Sequence, residues 1–136
     1  MKKYMYLLVF ALFAFACNND DDSSPNNDEF MLNGPWSLIN VSGGFAGIDD
    51  DYENGLIIWD FNLETQEVTV TNTNVELVIY DGLPTGTYDY SIETITGSNA
   101  LIVINNQNLA VATLTSTILV LDEGVAADGF LLSFTR

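Results

Sequence analysis

The chain has 136 residues, room for one domain, and its 19 Asp and Glu against 3 Lys and Arg set a net charge of −16 at pH 7. Binding phosphates needs clustered Lys or Arg, so nucleic acid is excluded as a partner, and anionic lipid surfaces repel such a chain. With no histidine and one cysteine, zinc ligands and most of the material for nucleophilic catalysis are missing, and no disulfide frames the fold.

Lys2 and Lys3 precede an unbroken apolar run from Tyr4 to Ala16. That run is shorter than the roughly 20 residues a bilayer span needs. A basic start, a short apolar stretch and small residues before a break have the form of a secretory signal peptide, residues 1–16. The break is Cys17. "FAFAC" resembles the lipobox of bacterial lipoproteins, with Ala14 at the leading position where leucine is usual. The resemblance implies cleavage before Cys17, multiple acylation (palmitate among the chains) and a membrane anchor; the alternative is a thiol left at the end of a leader.

Residues 17–29 hold that cysteine and "NNDDDSSPNNDE", which has no apolar side chain apart from Pro25. Such a segment is expected to be a disordered tether, reaching roughly 20 Å on average. An acidic run directly behind a lipidated cysteine resembles the export signal of surface-displayed lipoproteins in Gram-negative bacteria. It implies an outer-membrane lipoprotein exposed on the cell surface, with a plain tether facing the periplasm as the alternative. Loss of the leader removes both lysines, leaving Arg136 as the single cation and a net charge of −18, two below the −16 of the whole chain.

Residues 30–136 carry no helical stripe and many short alternating segments. "GPWSLINVS" (34–42) puts Trp36 and Leu38 on one face. "GLIIWDFN" (55–62) aligns Ile57, Trp59 and Phe61, and "EVTVTN" (67–72) sets Val68 and Val70 against Glu67, Thr69 and Thr71. "VELVIY" (75–80) reads as another strand or as a lid-like segment. "GTYDYSIET" (86–94) opposes Tyr88, Tyr90 and Ile92 to Thr87, Asp89, Ser91 and Glu93. "NALIVINN" (99–106), "LAVATLTS" (109–116), "TILVLDE" (117–123) and "DGFLLSFTR" (128–136) complete the series, with Gly- and Asn-rich turns at their junctions. Period-two alternation marks strands with one wet face. Eight or nine of them predict an all-β antiparallel meander. Lacking helices to cover it, the sheet is expected to close into a small barrel or fold into a sandwich. Trp36, Trp59, Phe61, Tyr88, Tyr90, Phe130 and Phe134 are its expected insiders.

"LNGPWSLINVSGG" with a terminal "LLSFTR" resembles the lipocalin-like lipoproteins. Their shared signature is a G-x-W near the start of the first strand and an arginine on the last strand that packs over the tryptophan; Gly34, Trp36 and Arg136 match it. The likeness covers most of residues 32–136, without the long helix that usually follows a lipocalin barrel. It implies an eight- to nine-stranded barrel closed by pairing its first and last strands, with a cation–π contact of roughly 0.5–2 kcal/mol at the seam. The alternative for Arg136 is a frayed, hydrated end.

"GGFAGIDDDYENG" (43–55) places Asp49, Asp51 and Glu53 at alternate positions beside Asp50 and Asn54. These carboxylates are a calcium candidate, set against a solvated acidic loop at the barrel mouth. No other cofactor is implied. Nineteen acids make some carboxylate pair inevitable without marking one for hydrolysis, so an enzyme is not expected. Three functions remain. A monomeric binding module would hold a small hydrophobic or amphipathic ligand against Trp59, Phe61, Tyr88 and Tyr90 in the lumen. A glycan- or protein-binding surface module would use aromatics such as Tyr52 or Tyr80. A packed structural barrel would take no ligand.

Overall fold

The computed structural model describes residues 31–95 and 99–136; the leader, Cys17 and the acidic tether lie outside the described residues. Nine strands follow in chain order. They are β1 (Gly34–Gly43), β2 (Ile48–Asp51), β3 (Ile57–Asn62), β4 (Glu67–Asn72), β5 (Gly86–Ile95), β6 (Asn99–Ile104), β7 (Gln107–Leu114), β8 (Ile118–Asp122) and β9 (Phe130–Thr135). Every pairing is antiparallel, in the spatial order β2-β1-β3-β4-β5-β6-β7-β8-β9. The sheet then closes on itself through β1 and β9, in register from Ser37 opposite Thr135 to Gly43 opposite Phe130. Closure of this kind removes the exposed edges of an open sheet.

The wall has eight positions because β2 and β3 share one. Both run antiparallel along the same edge of β1, β2 beside Asn40–Gly43 and β3 beside Gly34–Ser37. Residues 52–56 loop out between them, held at Tyr52 by an N–H to the Ile39 carbonyl and at Gly55 by an N–H to the Ser37 hydroxyl, 2.7 Å. That bond gives Ser37, the one buried polar residue among those described, its partner.

The inward rows follow the alternation read from the sequence. Trp36 and Leu38 on β1, Ile57, Trp59 and Phe61 on β3, Val68 and Val70 on β4, and Leu132 and Phe134 on β9 are all buried. A bulge between Leu38 and Asn40 shifts the parity of β1 by one, so that Val41 points inward and Asn40 outward. The turn between β6 and β7 is made by Asn105 and Asn106, both with positive φ, as a two-residue hairpin requires.

One expectation is corrected and one open choice is resolved. The acidic stretch is not wholly a loop: Ile48–Asp51 pairs with Asn40–Gly43, with Ile48 packed on the core. "VELVIY" is not a strand. Its segment joins a longer connection, residues 73–85, that crosses the barrel mouth as a lid.

Candidate functional site

Strand direction sorts the connections between two ends. Residues 31–33, the turns at 63–66 and 115–117, and Arg136 lie at one end. The turns at 44–47 and 105–106 and the connections 73–85 and 123–129 lie at the other.

The first end is sealed by the residues of the G-x-W and arginine pattern. The Trp36 indole donates its N–H to the Leu32 carbonyl at 2.8 Å, and Leu32 is itself buried. The Arg136 guanidinium lies over the Trp36 ring, its Cζ 3.8 Å from the centroid. It also donates to three backbone carbonyls: Nη1 to Asn33 at 2.8 Å, Nε to Ser116 at 3.0 Å, and Nη2 to Met31. Gly34 has a φ of +100°, a backbone conformation that strains any side chain, while a Cβ there would meet Arg136 Nη1 only in ordinary contact at 3.6 Å. One cation thus ties the segment entering β1, the β7–β8 turn and the end of β9 together.

Of the side chains expected to line a lumen, Trp59, Phe61 and Tyr90 are buried and packed on one another. The Trp59–Phe61 centroids are 6.3 Å apart, Trp59–Phe134 5.1 Å, and Phe61–Tyr90 5.4 Å edge to face. Tyr88 is half-buried, and its hydroxyl donates to the Pro84 carbonyl at 2.8 Å. Aromatic pairs at such spacings are core packing in their preferred geometries. A cleft of about 530 Å³ touches Tyr88 and Tyr90, and one of about 330 Å³ touches Phe61. Both are open clefts on the surface, lined mainly by polar groups such as Asp89, Asn105, Asn106, Asp60 and Asn62.

The second end is built around the lid. After Asn72 the chain runs out to Tyr80, whose ring stacks on Phe130 at 4.4 Å. The Tyr80 hydroxyl donates to Glu123 Oε1 at 2.5 Å, and its carbonyl accepts from the Tyr52 hydroxyl at 3.0 Å. The chain then turns inward. A Cβ on Gly82 would stand 3.2 Å from Trp59 Cζ2 and 3.6 Å from Leu132, and Leu83 is buried in the core. Beneath this cover the Trp59 indole N–H is buried with no acceptor among the described residues. Tyr52 and Tyr80 therefore both hold the lid in place.

The outer half of the lid is apolar and exposed. Val75, Leu77 and Ile79, at alternate positions, are 96%, 103% and 65% exposed, and Phe45 on the β1–β2 turn is 94% exposed. The neighbouring loops are knitted together. Gly44 donates its N–H to the Gly129 carbonyl, and a Cβ on Gly44 would stand 2.5 Å from the Phe130 ring that carries Tyr80. No sequence rule distinguishes Val75, Leu77 and Ile79 from a buried row; Leu77 to Tyr80 is an apolar run like those of buried strands.

Carboxylates act on the tyrosines that hold the lid. Burial, and then the carboxylates of Asp50, Asp81 and Glu76, push the Tyr52 hydroxyl up to about 12. Tyr80 is pushed up further by burial and by Glu123. Burial lifts the Glu123 carboxyl above its usual range, against the Tyr80 hydrogen bond, which pulls it down. A carboxyl raised by folding contributes stability below its unfolded value and loses it as pH rises through the raised one. Glu123→Gln keeps an acceptor for Tyr80 and carries no charge. Thermal melts should therefore show the variant more stable than wild type at about pH 8, with the gap closing towards about pH 4.

The acidic stretch supplies no calcium cage. Asp49 and Asp51 project from one face of β2, and both accept from Asn40 Nδ2 at 2.9 Å. Glu53 has left the strand, and the described residues bring no three acidic, histidine or cysteine side chains together as metal ligands. Comparison with family models, with curated proteins and with solved structures gives no match.

Proposed function

We propose that this chain is a non-enzymatic, lipid-tethered binding module of the bacterial envelope. Its sealed barrel carries a protein-binding surface on the lid and the loops beside it. The lipobox at Cys17 and the acidic tether support attachment, and the Gly34, Trp36 and Arg136 pattern supports a lipocalin-like ancestry. Among the described residues there is no histidine, lysine or cysteine for covalent or acid–base chemistry.

The observation that carries this reading is the row of Val75, Leu77 and Ile79. Soluble proteins scatter single apolar side chains over their surfaces, but a grouped set at one end marks an interaction site. Position agrees with it. The chain enters the barrel beside Arg136, so the apolar loops sit at the end farther from the tether. A second reading, a small apolar ligand under the lid, is favoured by the Trp59 N–H, which a bound acceptor would satisfy.

A neutral apolar dye such as Nile red separates the two. Dye fluorescence should fall to background in the Val75→Ser, Leu77→Ser, Ile79→Ser triple variant. Its melting temperature should stay close to wild type, because exposed positions cost little. If instead the triple variant keeps the dye and Trp59→Phe loses it, the lumen is the working site.

A further inference from the structure

The geometry points to a second binding site, apart from the lid surface, that takes a neutral saccharide in the cleft between β5 and the β6–β7 turn.

The cleft follows from the offset of three strands. β5 pairs with β4 over Gly86–Asp89 and with β6 only from Tyr90 onward. The β6–β7 hairpin has already turned back at Asn105 and Asn106. Gly86–Asp89 therefore have no partner strand on the side away from β4 among the described residues. Backbone groups alternate in direction along an antiparallel strand. Tyr90 gives its N–H to Gln66 on the β4 side at 2.8 Å, so Thr87 and Asp89 turn theirs the other way, towards the cleft.

Side chains complete the lining. Asp89, Ser91, Asn105 and Asn106 are exposed, and no hydrogen bond among the described residues engages their side chains. Positive φ at both asparagines fixes the turn that presents them. Tyr88 is half-buried and spends its hydroxyl on the Pro84 carbonyl, so its ring is what it offers the cleft.

This set selects a ligand class. Each asparagine brings an acceptor and two donors, Ser91 a hydroxyl that does both, Asp89 two acceptor oxygens, and the Thr87 backbone one group of each kind. Sugar hydroxyls also donate and accept at once, and the C–H face of a sugar ring suits an aromatic neighbour. Other classes fit worse. An apolar ligand would strip these groups of water without replacing their bonds. An anion would meet Asp89 with no cation to offset it, because Arg136 is at the opposite end. A cation would find one water-screened carboxylate, and the described residues gather no set of three metal ligands. A peptide strand would find only the backbone of Thr87 and Asp89 before the turn closes the edge. The volume of about 530 Å³ lies in the range of small-molecule sites.

The test uses the full chain in phosphatidylcholine nanodiscs, with empty nanodiscs as the blank, and saturation-transfer NMR. The probes are the neutral disaccharides maltose, cellobiose, lactose and diacetylchitobiose, with anionic cellobiouronic acid and the sugar-free base thymine for comparison. At least one neutral disaccharide should receive saturation and titrate with a dissociation constant of about 1 mM, as an open site with few bonds allows. Cellobiouronic acid and thymine should receive none. Asp89→Ala should weaken the bound disaccharide about tenfold. So should the Asn105→Gly, Asn106→Gly pair, in which glycine keeps the positive φ of the turn. Both variants should melt close to wild type, because the positions are exposed.

No saturation of any neutral disaccharide overturns the inference. Stronger saturation of thymine or of cellobiouronic acid overturns the ligand class. Disaccharide binding that survives both variants, or that is lost in the Val75→Ser, Leu77→Ser, Ile79→Ser variant, overturns the placement in this cleft. None of these results bears on the dye test of the lid.

Discussion

Arg136→Ala is expected to lower stability by about 2–3 kcal/mol, a drop in melting temperature of about 10–20 °C for a domain of this size. The guanidinium makes a cation–π contact with Trp36 and donates to the carbonyls of Met31, Asn33 and Ser116. At an exposed site the ring contact contributes about 0.5–1 kcal/mol. Each bond from a charged donor to a carbonyl contributes roughly 1 kcal/mol net, less wherever water can replace it. The three carbonyls lie on separate pieces of chain, so alanine loosens the entry into β1, the β7–β8 turn and the end of β9 together. Trp36 emission should shift to the red as water reaches the ring. Lysine at position 136 should restore less than half of the loss, since it keeps the charge without the planar fork. An Arg136→Ala protein that melts with wild type and keeps its emission maximum would mean that the barrel closes without this residue.

Gly43→Ala should be about as damaging, at roughly 3 kcal/mol, from the opposite end of the same seam. Gly43 has a φ of +107°, and a Cβ there would stand 2.7 Å from the Gly129 carbonyl and 3.1 Å from Val125 Cγ2. Its neighbours cannot yield separately, because Gly43 pairs with Ile48 on one side and Phe130 on the other. Strained backbone and a carbonyl collision therefore act together. Gly47→Ala is the internal control. It also has a positive φ, +62°, but nothing lies within 4 Å of its would-be Cβ, so its cost should stay near 1 kcal/mol. Chemical denaturation of the two variants measures the difference. Equal costs would show that the seam tolerates a side chain where Gly43 now sits.

The two ends of the seam were unequally legible. Gly34, Trp36 and Arg136 stand out in a chain with so few cations, and their period-two placement puts the tryptophan and the arginine at the ends of inward rows. Gly43 does not stand out: nothing in "SGG" tells which glycine will face a carbonyl from a connection almost ninety residues away. The acidic stretch was ambiguous for a related reason. Alternate carboxylates at Asp49 and Asp51 suit a metal loop or a strand face equally, and the choice fell to pairing with β1 and to the Asn40 amide.

The sequence by itself determined that this is a one-faced antiparallel meander, where most of its strands lie, and which side of each is apolar. Those are local properties, set by the two-residue period of the extended chain. Only the tertiary structure decided what covers each apolar face. Trp59, Phe61 and Tyr90 fill the interior, whereas Val75, Leu77 and Ile79, from an equally apolar segment, face water. Periodicity records that two sides of a segment differ. Burial depends on which distant strand, or which partner, comes to lie against it.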